Sequence, residues 1–139
     1  MSRQINTLTL ADARKITAAG ERRAQELGIP YNIAVVDAGG GLISHVRMDG
    51  AWLGSVDISI SKAWTARAFD LTTEFIAGAT QSGQSLFGLN STNHGKVVIF
   101  GGGEPVKEGD VVIGAVGASG GNVENDIKVV RAAVAGYGK

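Results

Sequence analysis

No cysteine occurs among the 139 residues. That one absence removes disulfides, zinc–thiolate sites, iron–sulfur clusters and thiol catalysis together. Histidine is nearly as scarce, with two in the chain, His45 and His94. A mononuclear metal centre usually draws on several histidine or carboxylate ligands, so two histidines far apart in sequence make no metal motif by spacing. Neither sign of charge prevails, because thirteen basic residues balance thirteen acidic ones. Bulk electrostatics therefore argue against nucleic acid or an anionic membrane as a partner. No apolar run resembles a signal-peptide core or approaches the ~20 residues of a membrane span. The expectation is a soluble, cytoplasmic protein.

Glycine is abundant, with 21 residues, which suits short strands and tight turns better than a helical bundle. The length is that of one domain, residues 1–139, and such a chain buries roughly two-thirds of its unfolded surface. A hydrophobic content of 44% then suffices for a core without covalent staples.

Thr9 and Asp12 have capping-pair spacing ahead of a helical pattern at Leu10, Ala13, Ile16, Gly20, Ala24 and Leu27, with Gly28 and Pro30 as the stop. Tyr31–Asp37 reads as a strand whose Ile33-Ala-Val-Val36 is apolar on both faces, as a covered central strand requires. The short Asp37–Gly41 link makes Leu42–Met48 its antiparallel neighbour. Alternation puts Leu42, Ser44, Val46 and Met48 on one face and Ile43, His45 and Arg47 on the other. Helices are expected over Gly54–Phe69 and Thr73–Gln81, then a loop over Ser82–Asn93 and a strand over Lys96–Phe100. A hairpin of Glu104–Val106 with Val111–Ala118 turns at Lys107–Asp110. A closing helix over Asn122–Tyr137 carries Val123, Ile127, Val130 and Val134 on its apolar stripe. This order describes an α+β fold: a five-stranded, mainly antiparallel sheet with helices on both faces.

Several segments carry candidate chemistry. Gly39–Gly41 lacks the lysine and helix of a phosphate loop and reads as a hairpin turn. Gly101-Gly-Gly-Glu-Pro105 is either a wide turn or a loop at a ligand's edge. Gly117-Ala-Ser-Gly-Gly121 precedes a helix and suits an anion or carboxylate, but Glu124 and Asp126 in the first helical turn would repel one and read first as dipole-complementing caps. His45, beside Arg47, is either a haem ligand with a propionate partner or a half-exposed strand histidine. His94 reads as a surface loop residue. Arg47-Met-Asp-Gly-Ala-Trp52 and Lys62 gather a cation, a carboxylate, an aromatic ring and an amine near the second helix. Lys62 lies among Ser55, Ser59, Ser61 and Thr65, where it either binds a carboxylate or acts as a base, or is a solvated lysine paired with an acid.

Ile33–Gly41, Arg47–Ala51, Lys62–Ala66, Phe100–Pro105 and Gly114–Gly121 together resemble, in order and spacing, the GlcG/HbpS-like family of haem-binding proteins, to which the C-terminal part of PduO-type proteins is related. The resemblance runs from about Leu8 to the end. It implies a profilin-like fold, homo-oligomers, bacterial origin among catabolic genes, and binding of haem or a related tetrapyrrole or iron ligand. The matched positions are Asp37, Arg47, Met48, Asp49, Lys62, Thr65, Gly102, Gly103, Pro105, Ser119, Gly120 and Gly121. Asn125 departs from the pattern and weakens an acidic metal cluster there.

The expected function is small-ligand binding, with haem the named cofactor. His45 would ligate iron, Arg47 or Lys62 would pair with propionates, and Met48, Asp49, Gly102, Gly103, Ser119, Gly120 and Gly121 would line the site. The alternative is a catabolic enzyme moving a proton on a small organic acid, with Lys62 or His45 as the catalytic group. A third reading is an oligomeric regulatory or assembly module.

Overall fold

A computed structural model describes residues 1–139. The elements are α1 (Leu10–Leu27), β1 (Asn32–Asp37), β2 (Leu42–Arg47), α2 (Gly54–Phe69), α3 (Thr73–Ala79), β3 (Gly103–Glu108), β4 (Val111–Ser119) and α4 (Val123–Ala135), with short 3-10 turns at Leu89–Ser91 and Asn93–Gly95. No helix is long and apolar enough to cross a membrane.

Helix α1 begins at the expected capping box. Thr9 Oγ1 accepts from the Asp12 amide while the Asp12 carboxylate accepts from the Thr9 amide. It ends where Gly28, at φ 72°, turns left-handed. The sheet runs β2-β1-β4-β3, antiparallel throughout. Helices α1 and α4 pack together on one face and α2 covers the other. Central β1 divides its side chains accordingly. Ile33 and Val35 join Leu8, Ile16, Val116, Val129 and Val130 on the α1/α4 side. Ala34 and Val36 join Ala63, Ala66 and Ala115 beneath α2.

The sheet has four strands, not the five expected. Lys96–Phe100 forms no strand: Lys96 closes the preceding turn in a helical conformation, and Val97–Ile99 join no ladder. Instead it runs beside α2, where the Val98 amide donates to Thr65 Oγ1 at 3.1 Å and the Thr65 hydroxyl donates to the Lys96 carbonyl at 3.4 Å. A helix side chain satisfies backbone groups that a ladder would otherwise take. Two more expectations shift by local causes. A bulge opposite Val35 and Val36 pairs Leu42 with Val36, so Leu42 faces α2, while Ile43 packs with Met48 against the α1/α4 core. In α4 the buried side is Asp126, Val129, Val130 and Ala133, and Val123 is exposed. The helix is rotated so that Asp126 points inward.

Beneath α2 the sheet is a trough. Ala34, Gly117 and Gly103 are register partners across β1, β4 and β3. A Cβ at Gly117 would overlap the Ser59 carbonyl oxygen and stand 2.7 Å from the Ala63 nitrogen; one at Gly103 would stand 2.6 Å from the Lys62 carbonyl oxygen. The helix backbone therefore rests on the strand backbones, and the side chains between them are alanines. Gly117→Ala should force α2 away and cost about 1–3 kcal/mol or more, the usual overpacking penalty. Gly78→Ala, in α3 with nothing within 4 Å of the added methyl, should instead stabilise by up to about 1 kcal/mol. Urea unfolding of both variants checks the contrast.

Candidate functional site

Lys62 projects from α2 past the end of the sheet and meets Asp126 of α4 at 2.7 Å. Its Nζ also donates to the Ala118 carbonyl at 2.9 Å and lies 5.0 Å from the centre of the Phe100 ring. The passage exists because Gly102 lacks a Cβ, which would come 2.6 Å from Nζ; its φ of 121° also excludes other residues at little cost. The second carboxylate oxygen of Asp126 accepts from Tyr31 OH at 2.8 Å and from the Gly120 and Gly121 amides at 3.3 and 3.2 Å. Asn122, not an acid, caps α4 by accepting from the Asn125 amide at 2.8 Å.

Lys62 is 0% exposed and Asp126 3%. Burial pulls the Lys62 ammonium below its ordinary pKa, and Asp126 opposes that shift by favouring the charged form. Burial, with Asp126 as hydrogen-bond partner, pushes the Tyr31 hydroxyl far above its usual range. The Ser119 hydroxyl turns to Ser55, while the cluster joins Lys62, Gly102, Gly120 and Gly121 of the sequence reading, with Gly103 adjoining under α2. Asp126 and Tyr31 complete it, and sequence reasoning did not assign them to it. One signal was present: Lys62 has no acid three or four residues away on its helix, so a buried partner had to come from afar. Chemically this is a tie between layers. Its ammonium is enclosed, and the Gly120 and Gly121 amides already serve a carboxylate.

The β2 candidates stand elsewhere. His45 is on the opposite edge strand from Gly103, with β1 and β4 between them. Arg47 and Asp49 are exposed. Arg47 pairs across β1 with Asn32, which pairs in turn with Ser119 on β4. Met48 turns inward, and its sulfur accepts from the Tyr31 amide at 3.4 Å. His45 has a buried Nε2 with no hydrogen-bond partner, and burial holds its pKa below the ordinary 6.5.

A groove of about 380 Å³ runs along the outer side of α2, walled by Val36, Leu42, Ile60 and Trp64, with His94 and Lys96 on its far bank. Lys96 Nζ stands 4.5 Å over the Trp64 ring. His94 is held there in a left-handed conformation, φ 59°, between Asn93 and Gly95, which are left-handed too. A larger cleft of about 650 Å³ beside the N-terminal segment is walled instead by charges, including Arg3, Arg67, Asp70, Lys107 and Asp110. Of the two, the α2 groove brings an imidazole and an indole together, with Asp57 and Ser61 also on its lining. Trp64 and Lys96 were not foreseen there, because the groove is built from three separate segments.

An antiparallel sheet between helical layers, a buried lysine–aspartate tie and a glycine-lined seam define a class of small α+β domain. The chain belongs to the HbpS-like family: the family model for haem degrading protein HbpS-like matches residues 8–135. It is similar to an uncharacterized 15.0 kDa protein from the dhaT-dhaS intergenic region of Citrobacter freundii, with 50% identity over 90% of this chain and 88% of that one. The crystal structure of Klebsiella pneumoniae protein ORFY matches at TM-score 0.95 and 45% identity, covering 97% of this chain and 93% of that one. The crystal structure of a PduOC haem complex matches at TM-score 0.91 and 37% identity, over 96% of each chain.

Two outcomes follow from this geometry. Lys62→Met leaves the Asp126 carboxylate buried without its cation and should cost about 3–5 kcal/mol, whereas Lys62→Met with Asp126→Leu should cost less than the sum of the single changes; denaturant unfolding of the cycle measures it. For His45, the folded pKa lies below the unfolded value near 6.5. As pH falls through 6.5 the unfolded chain takes up the proton first, so stability present above that pH declines down to the folded pKa. Unfolding at pH 7.5 and 5.5 should show this loss in the native protein and less of it in His45→Phe.

Proposed function

We propose that this protein binds haem or a closely related tetrapyrrole. The observation that carries the reading is the match, over 96% of each chain, to a fold crystallised as a haem complex. What supports the α2 groove as the place is its chemistry. Val36, Leu42, Ile60 and Trp64 would hold an apolar macrocycle, His94 would offer an imidazole nitrogen to the iron, and Lys96 would leave the Trp64 ring to pair with a propionate. When bound, haem supplies a redox-active iron. The chain's own part is to wall off one edge of the ring, orient it and neutralise its acid groups.

The residues first expected to serve haem divide between two places. Lys62 is enclosed by Asp126 and Ala118, which leaves no ammonium for a propionate. His45 Nε2 is likewise enclosed. The same enclosure weighs against proton transfer through Lys62, so ligand binding is the reading favoured over catalysis on an organic acid. Self-association belongs to the proposal, supported by the adjacent Trp52 and Leu53, both more than 60% exposed at the entry to α2.

Haemin added to the tag-free protein should give a saturable Soret shift and quench tryptophan fluorescence. His94→Ala should weaken binding by about tenfold or more, as loss of a ligand-supporting group does, and His45→Ala should leave it near the native value. Absence of any Soret shift in the native protein would sink the reading.

A further inference from the structure

Exactly two buried side-chain atoms lack a hydrogen-bond partner, Asn32 Oδ1 and His45 Nε2. They are neighbours. Asn32 pairs with Arg47 and Ala34 with His45 across β1 and β2, which places Asn32 and His45 diagonally on the face beneath α2, Cα atoms roughly 7–8 Å apart. The Asn32 amide cannot solve its problem by turning over. Its Nδ2 donates to the Trp52 carbonyl at 3.0 Å, and a flip would set two acceptor oxygens against each other.

We propose that one ordered water lies between Asn32 Oδ1 and His45 Nε2, joining β1, β2 and the chain entering α2. Water fits the chemistry on each side. It donates to Asn32 Oδ1, and at His45 it either donates to a bare Nε2 or accepts from a protonated one, so it serves both tautomers. An anion is disfavoured because Asn32 presents an acceptor. A metal ion is disfavoured because no three histidine, aspartate or glutamate side chains gather anywhere in the chain. On its other side Asn32 faces β4. Ser119, the other register partner of Asn32, donates through Oγ to Ser55 Oγ at 3.1 Å.

The water has a mechanical role. Helix α2 starts at Leu53 with no side-chain cap. Its entry is held by Asn32 gripping the Trp52 carbonyl and by Ser55 meeting Ser119. Fixing the Asn32 amide through His45 ties the edge strand β2 to that entry. His45 is then a positioning residue for α2, which goes beyond the haem reading and does not depend on it.

Water-selective NMR on the haem-free protein tests the site. Cross-peaks from a long-lived water to both the Asn32 side-chain amide and the His45 ring are expected, and both should vanish in His45→Phe, which fills the space without a polar nitrogen. Missing cross-peaks in the native protein would overturn the inference, and so would an Asn32 signal persisting unchanged in His45→Phe. The native spectrum decides even if that variant fails to fold. Because no haem is present, this result and the haemin titration can fail independently.

Discussion

An ammonium and a carboxylate meet out of water at the end of the sheet, Lys62 from one helical layer and Asp126 from the other, 2.7 Å apart. Removing both charges from water is costly, and their attraction offsets that cost only when the remaining donors and acceptors are also satisfied. Much nearby structure meets that requirement. The Tyr31 hydroxyl and the Gly120 and Gly121 amides complete the carboxylate; the Ala118 carbonyl and the Phe100 ring complete the ammonium. The rotation of α4 that buries Asp126 and exposes Val123 follows from the same demand. So does the glycine at position 102, whose missing side chain is the corridor for Nζ.

The tie also divides the faces of α2. The inward side of the helix is spent on the lysine pair and on backbone contact with the sheet. The outward side, with Ile60 and Trp64, is left to form a groove against the 93–96 turn. The two histidines fall on different sides of this division. His94 stands on the groove, held by a turn of three successive left-handed residues, while His45 is folded beneath the helix with its Nε2 enclosed.

Features that depend on neighbours in sequence were legible before the fold was known. The Thr9–Asp12 box, the doubly apolar β1 and the turn at Lys107–Asp110 each need only a few consecutive residues. The missing fifth strand was not legible, because Lys96–Phe100 has the apolar character of a strand and only the packed protein shows that Thr65 takes its backbone groups. The faces of β2 were read correctly from Ser44 to Met48 and failed at Leu42 and Ile43, since alternation cannot foresee a bulge. For the site, Lys62 was grouped with the glycine runs, and in the fold Gly102, Gly120 and Gly121 surround its pair with Asp126. Their centre was missed because Asp126 is 64 residues from Lys62 and looked like a dipole-complementing acid. The groove was missed for the same reason of distance.

The seam beneath α2 bears on how kinship in such proteins should be interpreted. Three of the five stretches through which this chain resembles its family, Lys62–Ala66, Phe100–Pro105 and Gly114–Gly121, hold the points where the α2 backbone rests on the sheet backbone, at Gly103 and Gly117. At Gly103 and Gly117 an added methyl collides with main chain, so drift there is restrained by space before any ligand is considered. Of the groove walls, Val36 and Trp64 fall inside the family stretches, whereas Leu42, Ile60 and the 93–96 turn lie outside them. At Gly103 and Gly117 the family signature is thus a record of architecture, while at Val36 and Trp64 the same signature reaches the groove.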